Sequence, residues 1–311
     1  MQTTLASSVR FGGTGLHSGR PVRMRVHPAP ADHGIVFRRT DRPDAAGLIP
    51  ARWDLAEPAA LCTRLRNAAG AEVATIEHLM AAFAGCGIHN ALVEIDGAEV
   101  PILDGSAIPF VRRFLAAGLR RLDAPVRALR LRVPVSVFDG AASARLEPAE
   151  TLEIAFAIEF PDAAIGRQEK SLTLANGTFV RELADSRTFC RQTDVARMQA
   201  AGMALGGTYD NAVVVDGAEV LSPGGLRHAD EPVRHKMLDA LGDLSLAGMP
   251  ILGRYVGVRA GHALTGRLLA RLFETPGASE VVTLTPAQIA RLPGAGLHAS
   301  DLDRGRLPLS A

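Results

Sequence analysis

The segment DEPVRHKMLDALGDL, residues 230–244, carries the strongest helix signal in the chain. Asp230 suits the N-cap position, and Glu231 and Pro232 suit the first turn. The run continues to about Ala247 before glycine and proline interrupt it. We therefore predict a helix from the residue after Asp230 to about Ala247.

One face of this helix carries side chains that could bind a metal. His235 and Asp239 are four residues apart and project from the same face, and Asp243 continues the stripe one turn on. An imidazole and a carboxylate at this spacing can meet one metal ion. The alternative is a solvent-exposed pair, which is the more frequent meaning of an isolated H-x-x-x-D.

A second predicted helix, over residues 75–85, repeats part of this pattern. Thr75 suits the N-cap, an apolar stripe follows, and Gly85 ends the run. Its sequence EHLMAA echoes RHKMLDA at residues 234–240, and an apolar strand follows each helix after a glycine turn. Two copies of one α+β unit that face each other would bring both histidines to one seam. Because a catalytic zinc needs three protein ligands, His78 becomes the candidate third ligand.

The fold class that these patterns predict is α+β, with two related domains that each layer a β-sheet against helices. The predicted strands lie over residues 22–26, 91–95, 129–133, 151–160, 211–216 and 251–258, and further helices lie over 107–118 and 263–272. The sequence LDAP at 122–125 suggests a boundary, so we predict domains over 1–123 and 124–290 and an irregular tail over 291–311. The first domain carries Glu77 and His78, and the second carries His235, Asp239 and His262. The site is expected at the seam between the domains.

Composition narrows the class of protein. The chain has 311 residues, 47% of them hydrophobic, which suits a substantial core and about two domains. A net charge of +1 argues against non-specific nucleic-acid binding. The three cysteines lack C-x-x-C spacing, and we find neither a signal-peptide pattern nor an apolar run of membrane-spanning length. We therefore expect a cytoplasmic protein without disulfides, a nucleic-acid partner or a transmembrane segment.

Lys236 and His262 are further candidates whose functional role competes with a simpler one. Only Lys170 and Lys236 are lysines among the 34 basic residues, and Lys236 adjoins His235. An ammonium there can bind phosphate as a point charge, although chance would also explain a lysine at this position. His262 directly precedes a predicted helix. It either caps that helix or pairs with a carboxylate, for which Asp243 is the candidate.

Several segments of the chain share an order and spacing that is typical of one family. They are GLHSG (15–19), TIEHL (75–79), ILDGSA (102–107), RTF (187–189), LGG (205–207), DEPVRHKMLDALGDL (230–244) and GHAL (261–264). Together, from residue 2 to about residue 275, they resemble UDP-3-O-acyl-N-acetylglucosamine deacetylase, the zinc enzyme family of bacterial lipid A synthesis. The pattern RHKMLDAxGD is the most specific part of this resemblance.

The resemblance implies a zinc-dependent amidohydrolase that removes acetate from the 2-acetamido group of UDP-3-O-acyl-N-acetylglucosamine. It also implies a site between two α+β domains. The implied metal is Zn²⁺, with another divalent ion such as Fe²⁺ as the alternative, and its implied ligands are His78, His235 and Asp239. The other implied roles are general base for Glu77, oxyanion donor for Thr188, acid or electrostatic stabiliser for His262 held by Asp243, and substrate contacts for Lys236, Phe189 and His17. The implied partner is a small-molecule UDP-acyl-sugar, and we expect a monomer.

Residues 190–192, CRQ, depart from the resemblance, because many relatives carry more apolar residues after the RTF segment. The departure leaves the implied catalytic set intact and concerns how Arg191 and Gln192 meet the acyl chain. The segment FPDAAI, residues 160–165, either lines an acyl passage or forms an ordinary strand end and turn.

Two other classes of protein stay open at this point. A sugar-nucleotide or acyl-chain binding protein on the same scaffold would have no use for a base such as Glu77 beside a metal. A metal-free structural α+β protein would carry His235 and Asp239 as a helix-surface pair. The metal content of the purified protein distinguishes the last class from an enzyme.

Overall fold

The computed structural model describes residues 1–43, 45–57, 59 and 61–302, and it confirms the α+β class. Strands and helices are interspersed along the chain, and the sheets that the strands form are packed with helices. Within these residues, no helix is both long enough and apolar enough to cross a lipid bilayer.

Short strands and longer helices make up the chain as far as residue 121. In chain order, they are β1 (Thr3–Leu5), β2 (Val9–Thr14), β3 (Pro21–Pro28), β4 (Ile35–Arg39), β5 (Leu48–Pro50), β6 (Ala56–Glu57), β7 (Arg64–Arg66), β8 (Glu72–Ala74), α1 (Glu77–Cys86), β9 (Ala91–Ile95), α2 (Ile108–Ala117) and β10 (Leu119–Arg121). The helices predicted over 75–85 and 107–118 and the strand predicted over 91–95 are therefore present.

Strands and helices are also interspersed from residue 127 onward, where several strands are longer. In chain order, they are β11 (Arg127–Leu131), β12 (Val135–Asp139), β13 (Ala142–Pro148), β14 (Leu152–Glu159), β15 (Arg167–Thr173), α3 (Thr178–Glu182), β16 (Phe189–Arg191), α4 (Gln192–Ala200), β17 (Val213–Asp216), β18 (Glu219–Val220), α5 (Glu231–Leu244), β19 (Ile251–Val258), α6 (His262–Glu274), β20 (Ser279–Thr283) and α7 (Pro286–Ile289). The strongest predicted helix corresponds to α5, and the strand predicted over 251–258 is β19.

One sheet topology occurs twice in the chain. The antiparallel pairs β2–β3 and β4–β5 flank β9, which follows α1 and pairs antiparallel with β3 and parallel with β4. The antiparallel pairs β12–β13 and β14–β15 flank β19, which follows α5 and pairs antiparallel with β13 and parallel with β14. This repeat confirms the pair of related α+β units that the echo between the two histidine helices predicts. The domain boundary at residue 123 stays a prediction.

The helices α1 and α5 pack directly against each other in the core. Their apolar faces, which include Leu79 and Phe83 of α1 and Leu238 of α5, are fully buried. At their closest approach, a Cβ added to Gly242 would lie 2.0 Å from the carbonyl oxygen of Glu77. Only a glycine allows the backbones to lie this close. The contact brings the first turn of α1 alongside the polar face of α5.

The start and end of α1 differ from the prediction. Thr75 is not the N-cap, because the helix begins two residues later and no side chain caps it. Thr75 has a φ of 55°, and its hydroxyl donates instead to Oε1 of Glu99, at 3.0 Å. Gly85 lies inside the helix, and the left-handed Gly87, with a φ of 69°, ends it. The prediction that a glycine ends this helix is therefore correct, but the glycine lies two residues later than predicted.

Asp230 precedes α5 as predicted, but its side chain does not cap the helix. Its carboxylate pairs with Lys170, at 2.9 Å, and with Arg234 one turn into the helix. Lys170, to which the sequence assigns no function, therefore fixes the start of α5 to β15.

Two further boundaries shift. α5 ends at Leu244, and a 3₁₀ turn over Ser245–Ala247 completes the predicted length. The strand predicted over 129–133 lies earlier, at β11. In the predicted irregular tail, a short 3₁₀ helix spans Ala299–Leu302, and residues 303–311 lie outside the described residues.

We predict that Gly242→Ala lowers the free energy of unfolding by about 1–3 kcal/mol, because the new methyl group forces α1 and α5 apart. Urea denaturation of the purified protein measures this change.

Gly266→Ala in α6 is the matched control, since a Cβ added there meets no atom within 4 Å. This control should gain about 0.5–1 kcal/mol from the higher helix propensity of alanine. Equal stability of the two variants would contradict the close contact at Gly242.

Candidate active site

Donor side chains of α1 and α5 meet in the core. His78, His235 and Asp239 are buried, and one donor atom of each lies within 4.8 Å of the others. Oδ1 of Asp239 lies 3.6 Å from Nε2 of His78 and 3.2 Å from Nε2 of His235. His235 and Asp239 are only 2% and 4% exposed, which is incompatible with a helix-surface pair.

These three side chains fit a divalent metal ion. Oδ1 of Asp239 has no hydrogen-bond partner among the described residues, although it is buried. A buried carboxylate oxygen without a partner is unfavourable by itself. Ligands about 2.0–2.2 Å from one tetrahedral ion lie roughly 3.3–3.6 Å from one another, which is close to the separations between Asp239 and the two histidines. Two imidazoles and a carboxylate also leave a fourth position for water.

The orientation of each imidazole supports this arrangement. Nδ1 of His235 lies 3.0 Å from the carbonyl oxygen of Ser186, to which it donates, so Nε2 presents its lone pair to the cluster. The rings of His78 and His235 lie edge to face, with centroids 4.9 Å apart. Burial lowers the pKa of His78, which favours the neutral imidazole that a metal ligand needs.

The surrounding charges are unusually dense for a core. The carboxylates of Glu77, Asp239 and Asp243 are buried, and the side chains of Lys236 and His262 beside them are 16% and 13% exposed. Nζ of Lys236 donates to Oδ2 of Asp239 at 2.7 Å, and Nδ1 of His262 donates to Oδ2 of Asp243 at 2.9 Å. Nε2 of His262 lies 3.9 Å from Oε1 of Glu77. Because the carboxylates outnumber the cations, an additional positive ion is electrostatically favourable here.

Burial and these charges together raise the pKa values of both Glu77 and His262. Burial raises the pKa of Glu77 to about 7, with Asp239 and Asp243 adding to the effect and His262 opposing it. Burial also disfavours the charged form of His262, but Asp243, Asp239 and Glu77 together raise its pKa to about 9. The site therefore holds a weakly acidic carboxyl beside an imidazole that is cationic at neutral pH.

Lys236 contacts the candidate metal ligand Asp239, and its side chain is 16% exposed. Burial opposes its charge, but the Asp239 carboxylate raises the pKa of Lys236. In return, although burial favours the neutral acid, His235 and Lys236 hold the pKa of Asp239 well below its usual range.

Thr63 is a part of the site that the sequence does not predict. Its backbone N–H donates to Oε2 of Glu77 at 3.0 Å, and its hydroxyl donates to Oδ1 of Asp243. These bonds orient the two carboxylates across a separation of 180 residues between Thr63 and Asp243. No local pattern in the segment LCTRLR marks such a role.

Thr188 and Phe189 lie next to the segment that holds His235. The backbone of Thr188 is paired on both sides, since its N–H donates to Gly105 and its carbonyl accepts from Val213. The ring of Phe189 lies 6.3 Å from the ring of His235 and 5.3 Å from that of Phe160. The structure thus places Phe189 beside the candidate metal ligand His235 and against Phe160 of the segment FPDAAI.

His17 lies on a loop that Glu99 fixes. The backbone N–H groups of His17 and Ser18 donate to the Glu99 carboxylate at 2.8 and 2.9 Å. Burial lowers the pKa of the His17 imidazole, and the nearby cation of His262 adds to this effect. Nε2 of His17 is buried without a hydrogen-bond partner in the part of the chain that the structure describes. His17 is therefore close enough to the site to sense its charge.

Arg191 lies in the segment CRQ, which differs from the more apolar residues of many relatives, and it has a structural partner. Its guanidinium pairs with the buried carboxylate of Asp162 in the segment FPDAAI. Asp162 also accepts the backbone N–H of Gly217 at 3.1 Å. Arg191 therefore ties β16 to the chain that follows β14.

A cavity of about 310 Å³ lies elsewhere along α1 and α5. Its apolar lining includes Met80, Phe83, Leu241, Leu244 and Ile251. Among the described residues that line it, none is a candidate ligand, base, acid or substrate contact of the site above.

Comparison with known proteins shows which family the sequence of this chain matches. The family model described as UDP-3-O-acyl N-acetylglycosamine deacetylase matches residues 2–274. The chain is 46% identical over 284 residues to a protein of Anaeromyxobacter sp. (strain Fw109-5), a match that covers 91% of this chain and 92% of that protein. It is 47% identical over 282 residues to a protein of Phenylobacterium zucineum (strain HLK1), covering 91% and 96%. It is 44% identical over 303 residues to a protein of Myxococcus xanthus (strain DK1622), covering 97% and 94%. All three relatives are named UDP-3-O-acyl-N-acetylglucosamine deacetylase.

Proposed function

The chain belongs to the UDP-3-O-acyl N-acetylglycosamine deacetylase family, and on that premise we propose that it removes acetate from UDP-3-O-acyl-N-acetylglucosamine in lipid A biosynthesis. The family match covers residues 2–274, which include every candidate residue of the site. The observation that carries the proposal is a cluster of two histidines and a carboxylate, with the Glu77 carboxyl beside it.

The metal in this proposal is Zn²⁺, held by His78, His235 and Asp239. Two imidazole nitrogens and one carboxylate oxygen are ligands that zinc accepts in catalytic sites, with Fe²⁺ as the alternative for the same donors. When bound, the ion supplies Lewis acidity, which polarises the acetamide carbonyl and lowers the pKa of water.

Glu77 is the proposed general base. One of its oxygens, Oε2, is occupied by the N–H of Thr63, which leaves Oε1 free to accept a proton from the attacking water. A pKa near 7 is suited to a group that accepts this proton and then gives it up. The geometry supports this role because Glu77 directly precedes the ligand His78.

His262 is the proposed acid for the leaving amine. Its Nδ1 is bound to Asp243, so the proton on Nε2 points to the side where Glu77 and Asp239 lie. Thr63 fixes Asp243 in turn through its hydroxyl. A cationic imidazole can stabilise the tetrahedral oxyanion and then protonate the sugar nitrogen.

The remaining residues are proposed contacts of the substrate. Thr188 is the proposed donor to the oxyanion, supported by its place two residues after the carbonyl that holds His235. Lys236 and His17 are proposed to contact the sugar nucleotide. Phe189 is proposed to contact the acyl chain, and its ring contact with Phe160 supports an apolar passage there.

The cellular setting is also proposed. The thiols of Cys62, Cys86 and Cys190 are free, which fits the reducing cytoplasm. The protein is expected to act as a monomer on a small-molecule substrate.

Acetate release from UDP-3-O-acyl-N-acetylglucosamine tests the function. We expect the wild-type protein to release acetate, to lose this activity after chelation and to regain it with Zn²⁺. Asp239→Ala should contain little metal and release little acetate, because the cluster loses its anionic ligand. Asp139→Ala, which removes an exposed partner of Arg267, should behave like the wild type. Full activity of the chelated protein or of Asp239→Ala would refute the metal centre.

Glu77→Gln should keep about one metal ion per chain but lower kcat by roughly 10²- to 10⁴-fold, since an amide cannot accept the proton. Metal analysis and steady-state kinetics measure the two quantities. Glu280→Gln on strand β20, where the Glu280 side chain is 40% exposed, is the control and should keep wild-type turnover. If Glu77→Gln turns over near the wild-type rate, Glu77 is not the principal base.

The pH profile tests His262. Its raised pKa means that the cation is present at neutral pH and is lost as the pH rises through about 9. We therefore expect kcat/KM of the wild type to fall on that basic limb, and His262→Ala to show a lower maximum without the same limb. His33→Ala should keep the wild-type profile. An unchanged basic limb in His262→Ala would remove His262 from the acid role.

A further inference from the structure

A buried ion pair lies one helical turn before the metal-ligating residues of α5. Glu231 is 0% exposed, and it accepts from Nε and Nη2 of Arg187 at 2.9 and 3.1 Å. Because Glu231, His235 and Asp239 follow at intervals of four, the carboxylate belongs to the same helical stripe as the ligands. The mechanism proposed above assigns no task to either member of this pair.

The side chains of Glu231 and Arg187 also form hydrogen bonds with backbone groups. Glu231 accepts the N–H of Arg187 at 2.9 Å and the N–H of Arg227 at 2.6 Å. Nη2 of Arg187 donates to the carbonyl of Gly225 at 2.6 Å. Charge-assisted, bidentate bonds of this kind are the strongest and most directional that a carboxylate makes. The pair therefore fixes the chain around residue 187 to the first turn of α5.

The residues on either side of Arg187 touch the site. Ser186 supplies the carbonyl that accepts from Nδ1 of His235, and Thr188 is the proposed oxyanion donor. Because Ser186 and Thr188 are joined to Arg187 by peptide bonds, any displacement of Arg187 would move both of them. A hydrogen bond to the far nitrogen of a ligating histidine sets the tautomer and the direction of its lone pair.

A second arginine extends the network to the first half of the chain. Arg227 donates to the carbonyl of Asp185 at 2.7 Å and to the carboxylate of Asp104 at 3.0 Å. The carbonyl of Gly105, next to Asp104, accepts the N–H of Thr188 at 2.8 Å. Residues 185–188 are thus held from α5 on one side and from the loop before α2 on the other.

We propose that Glu231 and Arg187 are positioning residues, which hold the Ser186 carbonyl against His235 and thereby tune the affinity of the metal centre. This inference rests on the proposed function, since it needs the metal site. Removing a partner of this kind from a ligating histidine lowers metal affinity by about 10- to 100-fold. A buried ion pair that served stability alone would leave metal affinity unchanged when it was weakened.

The test compares two buried arginines. Arg187→Lys keeps the charge but loses the bidentate contact. Arg39→Lys is the matched control, because Arg39 is also about 5% exposed, binds Asp41 through two nitrogens and donates to a carbonyl oxygen. Zn²⁺ affinity is measured by competition with a chelating dye, and ligand geometry is measured from the visible spectrum of Co²⁺-loaded protein. Melting temperatures report stability separately.

We expect Arg187→Lys to bind Zn²⁺ about 10- to 100-fold more weakly than the wild type and to alter the Co²⁺ spectrum. Arg39→Lys should lower the melting temperature without either change. If Arg187→Lys does not fold, Glu231→Gln gives the same comparison with the side-chain shape retained. Wild-type Zn²⁺ affinity and an unchanged Co²⁺ spectrum in the folded variant would overturn the inference. A wild-type protein that binds no Zn²⁺ would instead refute the metal centre itself, and the inference with it.

Discussion

The close contact between α1 and α5 is the constraint on which the rest of the structure depends. The contact requires glycine at position 242, where any larger side chain would meet the backbone of Glu77. It brings His78, from one half of the chain, against His235 and Asp239 from the other. Neither helix could form the donor set alone, because one supplies a single histidine and the other an imidazole and a carboxylate. The site therefore exists only where the two halves are packed together.

The burial of charged groups explains the hydrogen bonds around the site. Carboxylates in a core need partners, and the partners here are few and specific: Thr63 for Glu77 and Asp243, Lys236 for Asp239, and His262 for Asp243. Oδ1 of Asp239 is left over, and it faces the two imidazoles. The same interactions that stabilise the buried charges also fix their orientations, which the proposed proton transfers require. Stability and the proposed chemistry thus use one set of hydrogen bonds.

Much of this arrangement follows from local pattern. The period of four along α5 predicts that His235, Asp239 and Asp243 share a face, and the repeated histidine segment predicts the contribution of His78. What local pattern cannot predict is contact between distant segments. Thr63 meets Asp243 across 180 residues, and Glu231 meets Arg187 across 44. Thr75 looks like a helix cap in sequence, but the distant Glu99 takes its hydroxyl, and Gly85 is inside the helix because the ring of Phe179 needs its space.

The duplicated sheet topology has a consequence for the symmetry of the site. His78 and His235 lie on helices that hold the same place in the two repeats of this topology, α1 before β9 and α5 before β19. The position four residues on breaks that relation, since it is Asp239 in the second unit and Ala82 in the first. Beyond Glu77 and His78, α1 can therefore remain apolar and anchor the core, whereas α5 carries the larger number of charged side chains. A scaffold that repeats one topology thereby gives the proposed metal site an asymmetric environment, in which the first unit supplies the proposed base and the second supplies the proposed acid.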